Sequence, residues 1–280
     1  MATFFGEVLS VFSRAVEDED GEELVEDEED EQIRRELEEK REVHLHWNSE
    51  VSESLQSGNK LQCSDFILAV GHNAASFLSV YVLTSSSWET VGHVSVWNER
   101  TKASTGQSSK ESACVFHRNK DDPSVLICQV FCYIADDQLF QWTEKVFACL
   151  QHRGLNVTVL SDCSVTDYMT ADHLCTSSAP FLRSLHTGVF SGRTACPSLE
   201  QPNIITGLSA SVLNHCQVYR IAAVVYQCYS DVNGPDSVSM ETFKPALAKL
   251  GKSIQLDSSP STDVLRKSVQ TTDIKSNLYI

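Results

Sequence analysis

Residues 65–86 run DFILAVGHNAASFLSVYVLTSS, and the class of fold turns on this passage. The run from Asp65 to Val70 is apolar, too short for a stable helix, and reads as a buried strand. Gly71 closes it, and residues 73–86 then read as a helix. A strand that passes through one glycine into a helix is the opening move of a layered α/β fold.

The alternation continues outward. Residues 90–98 (TVGHVSVWN), 113–117 (ACVFH) and 124–134 (SVLICQVFCYI) read as strands, with a polar loop between the first two. Residues 136–154 read as the strongest helix. Asp136 or Asp137 would cap it, Leu139, Trp142, Val146, Phe147 and Leu150 form one apolar stripe, and Gly154 ends it. Residues 155–161 and 219–229 read as further strands, 209–217 as a helix. Residues 237–251 read as a helix kinked at Pro245, and 261–270 as a last short helix. Residues 162–206 form a long polar stretch with three prolines. Strands alternating with helices predict an α/β fold with a largely parallel or mixed sheet.

Charge sets the boundaries. The chain has 280 residues and a net charge of −16, but residues 17–42 hold 16 acidic and 4 basic side chains. Like charges at that density build no core, so the segment is expected to be solvated and disordered, with some helix near IRRELEEKREV. The expected layout is an N-terminal extension over 1–58, an α/β domain over 59–270 and a flexible tail over 271–280. The folded body itself is expected to begin between residues 43 and 62. Phe4, Phe5, Val8, Phe12 and Ala15 share a helical spacing, which fits a short docking helix or a frayed end equally well. The body has no run of Lys or Arg, so a nucleic-acid footprint is not expected. No apolar run reaches transmembrane length, and the first 16 residues lack a basic n-region and are broken by Glu7. Ten cysteines lie mostly inside apolar runs, the usage of reduced, buried thiols in the cytoplasm.

Chemical motifs are weak. DFILAVGHNAAS has the strand, glycine, helix form that cradles phosphate, but only one of the three fingerprint glycines is present. Cys128 and Cys132 would lie about 13 Å apart on a strand, too far to share a metal. Cys163, His173 and Cys175 have no zinc spacing. Neither a nucleophile elbow nor a P-loop occurs. The remaining feature is the end of the chain, Leu278, Tyr279 and Ile280, apolar after a polar run. Such a tripeptide can plug a pocket between ring subunits, with Leu278 on an apolar wall, Tyr279 stacked and the carboxylate on a lysine. It can instead add a strand to a PDZ-like edge, or be a greasy end with no role.

Several blocks in order resemble the proteasome assembly chaperones: MATFFGEV (1–8), DFILAVGHNAASFL (65–78), LICQVFCYIADDQLFQWTEKVF (126–147), SLEQPNI (198–204), LNHCQVYRIAAVVYQCY (213–229), FKPAL (243–247) and SNLYI (276–280). The resemblance spans about residues 60–280 and the first eight. It implies a three-layer α/β sandwich and no catalytic activity, cofactor or metal. It implies a heterodimer with proteasome assembly chaperone 2, seated on the forming α-ring of the 20S proteasome. There the pair would promote ring closure and prevent pairing of α-rings, in the cytoplasm and with extension to the nucleus or the endoplasmic reticulum surface. It also implies that Leu278, Tyr279 and Ile280 form a hydrophobic-Tyr-X (HbYX) motif that docks between α subunits. An α/β hydrolase-like enzyme and a PDZ-binding scaffold are the alternatives.

Overall fold

The computed structural model describes residues 28–97, 114–170, 179–232, 234–248, 254–257 and 260–266. The apolar pattern at residues 4–15, His173, Cys175 and the tripeptide 278–280 lie outside the described residues. Two units are distinguished, residues 1–40 and 41–280. In the first, helix α1 (Glu28–Lys40) exposes residues 32–36, 38 and 39, as its charge demands, with an Arg35–Glu31 pair at 2.8 Å one turn apart.

The second unit is built on one eight-stranded mixed sheet. Its strands are β1 (His44–Trp47), β2 (Asp65–Val70), β3 (Trp88–Ser95), β4 (Cys114–Asn119), β5 (Val125–Val130), β6 (Asn156–Ser164), β7 (Phe181–His186) and β8 (Ala222–Ser230), in the order β1-β3-β4-β5-β2-β6-β8-β7. The middle four, β5, β2, β6 and β8, run parallel, and the flanking strands join antiparallel. All six residues of β5 are buried, as befits a parallel strand covered on both faces. Its one polar member, Gln129, is satisfied. Its Nε2 donates to the Ala75 carbonyl at 2.6 Å and to Ser79 Oγ at 2.8 Å, and its Oε1 meets His117 Nε2 at 3.1 Å.

Period-2 alternation sends successive residues to opposite faces. On one face Phe66, Leu68, Val157, Val159 and Val225 pack with helices α4 (Leu139–Ala148) and α5 (Gly207–Val218) through Trp142, Val146, Phe147 and Val212. Helix α2 (Ser49–Gln56), capped by Asn48, adds Val51 to this core. On the other face Ile67, Ile127, Leu160, Val224 and Tyr226 pack with helix α3 (His72–Tyr81) and the short helices α6 (Ser237–Glu241) and α7 (Lys244–Leu247), through Phe77, Tyr81, Met240, Phe243 and Leu247. Helix, sheet and helix make three layers.

The two sheet edges differ. At β7, Ser184 N–H donates to the Pro197 carbonyl at 2.9 Å and Leu199 N–H donates to the Ser184 carbonyl at 2.8 Å, so residues 197–199 strap that edge. At the other end, among the described residues, β1 pairs with β3 alone.

The structure redraws several boundaries. β1 and α2 belong to the sheet unit, so the extension expected over 1–58 stops at residue 40. Lys145 Nζ meets Glu42 at 2.6 Å and Arg41 meets Asp137 at 3.0 Å, holding the first residues of the unit. The strand expected over 124–134 ends at Val130. The helix expected over 136–154 begins as a 3₁₀ turn, and no side chain caps it. Asp137 serves the Arg41 pair instead, and Asp136 accepts from the Tyr133 hydroxyl at 3.3 Å. The long polar stretch contains β7. The kinked helix is two short helices, with Pro245 in the first turn of the second. Residues 262–266 are helical, as expected, and Val264 and Leu265 pack beside the α3 core.

Candidate functional site

Open α/β sheets hold ligands at the carboxyl ends of their parallel strands, often on the N-terminus of the helix that follows. Here that helix is α3. Gly71, at φ 103°, turns β2 into it without a side-chain cap. The free amides are satisfied by Asp162 from the neighbouring strand β6. Ala74 N–H donates to Asp162 Oδ1 at 3.1 Å, and the Asn73 amide also bonds the carboxylate. A Cβ on Gly71 would stand 2.3 Å from that oxygen. Burial pushes the Asp162 carboxyl up, against the opposing pull of the Ala74 and Asn73 amides. Asn73 in turn accepts from Asp236 N–H at 2.9 Å, which fixes the turn before α6. The position a phosphate would take is thus filled by the chain's own carboxylate. A second anion there would meet like charge, and the Asn73 and Ala74 amides are already taken. The strand, glycine, helix passage is a tight turn.

Most of the described thiols are shielded by burial. Reactive cysteines have lowered pKa values in electropositive surroundings. Burial instead pushes Cys63, Cys132, Cys216 and Cys228 up to about 12 and Cys163 to about 11, and raises Cys149. Cys128 is buried in β5, and Cys114 is a buried acceptor for Trp142 Nε1–H at 3.4 Å. Among the described residues no group of three His, Cys, Asp or Glu is placed to hold a metal. Four histidines have defined ring partners. His117 meets Gln129 through Nε2 and the Thr90 hydroxyl through Nδ1 at 3.4 Å, His152 and His186 meet backbone carbonyls, and His215 Nδ1 meets Glu144 at 3.1 Å. None of these partners is a serine hydroxyl or a thiol, and the one hydroxyl among them, that of Thr90, sits at the long distance of 3.4 Å on an exposed part of β3.

The carboxyl end of the sheet presents exposed apolar side chains. Phe131 and Tyr133 follow β5, Phe140 opens α4, Met169 follows β6, Ile204 precedes α5, Val232 follows β8 and Val238 lies on α6. These are seven of the twelve large apolar side chains exposed among the described residues, and Phe140 and Ile204 are 73% and 74% exposed. Exposed large apolar side chains gathered at one end of a sheet are candidates for a contact site.

The rim is held in place from below. Met169 N–H donates to Asn203 Oδ1 at 2.7 Å, and Asn203 Nδ2 donates back to the Met169 carbonyl at 2.8 Å, which brings the segments of Met169 and Ile204 together. Ser211 Oγ lies 2.9 Å from Thr143 Oγ1 and donates to the Leu139 carbonyl at 3.3 Å, which sets the start of α4, with Phe140, against α5. Beside Met169, Tyr168, Phe181 and Tyr229 stack with ring centroids 4.8–5.4 Å apart. Arg183 lies over Phe181 and pairs with Glu200, which also accepts from the Tyr168 hydroxyl. Such aromatic and arginine clusters rigidify contact surfaces. Sequence reasoning missed the rim because it ran β5 on to residue 134, which gave Phe131 and Tyr133 to a strand.

A family model described as proteasome assembly chaperone 4 matches residues 1–280. Among curated relatives, a Danio rerio protein named proteasome assembly chaperone 1 is 51% identical over 284 residues, covering all of both chains. The Homo sapiens protein of that name is 44% identical over 285 residues, covering 99% of each. Among solved structures, a Thermoplasma acidophilum protein of unknown function aligns with a TM-score of 0.56 at 14% identity, covering 81% of this chain and 91% of its own. Pyrococcus furiosus PbaB, described as an archaeal proteasome activator, aligns with a TM-score of 0.52 at 10% identity, covering 84% and 97%. At such identities the structures speak for the fold alone.

Proposed function

The chain belongs to the proteasome assembly chaperone family, and from that premise we propose that it works as a heterodimer with proteasome assembly chaperone 2 on the α-ring of the 20S proteasome. It is a non-catalytic chaperone. The observation that carries the reading is the exposed apolar rim, standing where an α/β enzyme of this architecture keeps its ligand. In the proposed role the pair favours ring closure and blocks the face through which α-rings would dimerise, in the cytoplasm.

The chain's last residues support a docking role for the tail. Thr271 to Ile280 is ten residues, enough to span about 33 Å when extended. Leu278 would pack on apolar wall, Tyr279 would stack and donate its hydroxyl, and the Ile280 carboxylate would meet a lysine of an α subunit. Ordering such an arm costs entropy, so its own affinity is modest, and the body and partner add avidity. A modest tail suits a chaperone that must leave the finished particle.

The test compares wild-type and Tyr279→Ala heterodimers binding purified α-ring intermediates at matched salt. Loss of aromatic burial and a hydroxyl hydrogen bond is expected to cost about 1–3 kcal/mol. Equal affinity for the two proteins would sink the ring-pocket docking. A silent Tyr279→Ala beside a severe Ile280→Ala would assign the tail to a PDZ-like edge.

A further inference from the structure

We infer that the carboxyl-end rim is the surface that binds the partner chaperone, and that the partner covers it with an apolar centre ringed by lysine or arginine. The inference rests on the heterodimer reading above and adds the place and chemistry of the contact. Phe131, Phe140, Met169, Ile204, Val232 and Val238 stand exposed on six separate segments, all at one end of the sheet. Large apolar side chains exposed on that many segments are unfavourable in water, and a client that comes and goes cannot keep them covered. A permanent partner can.

The charge around the rim selects the kind of partner. Among the described residues, Asp136, Asp137, Asp167, Glu200 and Asp231 border it, against Arg41 and Arg183, each of which is already paired with one of those acids. A two-fold pairing of identical chains through this surface would set the same acids against one another. A basic partner meets complementary charge and gains in association rate.

The experiment uses the full chain and purified proteasome assembly chaperone 2. Phe140→Asp and Ile204→Asp alter the two most exposed positions of the rim, and thermal melting checks that each variant folds. Each is expected to weaken the heterodimer at least tenfold. Asp167→Lys with Asp231→Lys is expected to slow association at low salt and flatten its salt dependence, because steering by opposite charge is lost. Val218→Asp, at the opposite end of the sheet, is expected to bind as wild type. The inference is overturned if both rim variants bind as wild type, or if Val218→Asp alone loses binding. It is also overturned if the chain forms a dimer by itself that Phe140→Asp dissolves, which would make a second copy the occupant. A wild-type chain that does not bind proteasome assembly chaperone 2 at all fails before any substitution is made. That result refutes the heterodimer reading, and the assignment of the rim with it.

Discussion

The carboxylate at the head of α3 makes a quantitative prediction. Replacing Asp162 by Ala leaves the Asn73 and Ala74 amides without their acceptor. A buried unpaired donor costs about 1–3 kcal/mol, and loss of a negative charge at a helix N-terminus costs about 0.3–1 kcal/mol more. Against this, the variant no longer holds a charge in a partly buried place, a cost visible in the raised Asp162 carboxyl. The net expectation for Asp162→Ala is a loss of about 1–3 kcal/mol, or a melting temperature lower by about 3–10 °C for a domain of this size. Asp162→Asn keeps an acceptor oxygen and drops the charge, so its loss should stay within about 1 kcal/mol. The two variants also separate by pH. A raised carboxyl in the folded state means that the folded chain keeps a proton the unfolded chain has released. The stabilisation from Asp162 is therefore full below the ordinary carboxylate range and is lost as pH rises through its folded value. Relative to Asp162→Asn, the wild type should lose stability as pH climbs from about 4 upward. Denaturant melts of the three proteins across that range are the assay. Added sulfate should raise the stability of Asp162→Ala more than that of wild type, because the vacated amides can take an anion. If Asp162→Ala melts with wild type at every pH, or if Asn is as damaging as Ala, then Asp162 is not what satisfies the helix.

Two further expectations concern the ends of the sheet unit. Deleting residues 17–40 removes charge and no core, so it should leave the melting temperature unchanged. Extending the deletion through Glu42 removes the Arg41–Asp137 pair, the Glu42–Lys145 pair and the bond from Gln138 Nε2 to the Arg41 carbonyl, and should lower it. Equal melting of the two deletions would place the boundary elsewhere. Gly92→Ala would set a Cβ 2.5 Å from the Trp47 ring and 2.7 Å from the His46 carbonyl, and overpacking of this kind costs about 1–3 kcal/mol. Hydrogen exchange should show residues 44–47 losing protection first, and unchanged protection there would refute the close approach of β1 to β3.

Much of the layering was readable from apolar runs. β2, β5, β6 and β8 are short and dense in Val, Ile, Leu and Cys because both faces are covered. The stripe of α4 was readable because one face meets the sheet. Edge elements were not readable. β1, HLHW, turns Leu45 and Trp47 inward and His44 and His46 outward over only four residues, so it reads as polar chain. β7 buries just Leu182 and Ser184, and its neighbours along the chain are prolines and polar residues. The site divides the same way. The bond between Ala74 and Asp162 joins residues 88 apart, with no local pattern to announce it. An exposed phenylalanine at the head of a helix has the same letter as a buried one, so the rim is a property of the fold. The closing tripeptide was visible because its oddity is local.

The strap over β7 sets a valence. A strand pairs through both its edges, and a sheet with two bare edges can add neighbours without limit. Here the central residue of β7 has its amide and carbonyl spent on residues 197–199, while among the described residues no strand pairs with the outer side of β1. Growth by strand addition is therefore available at one end only. Two such sheets could join β1 to β1 and stop, since each would then offer the next arrival a strapped edge. For a chain with this much apolar surface, the difference between a contact that terminates and one that propagates is the difference between a complex and a fibre.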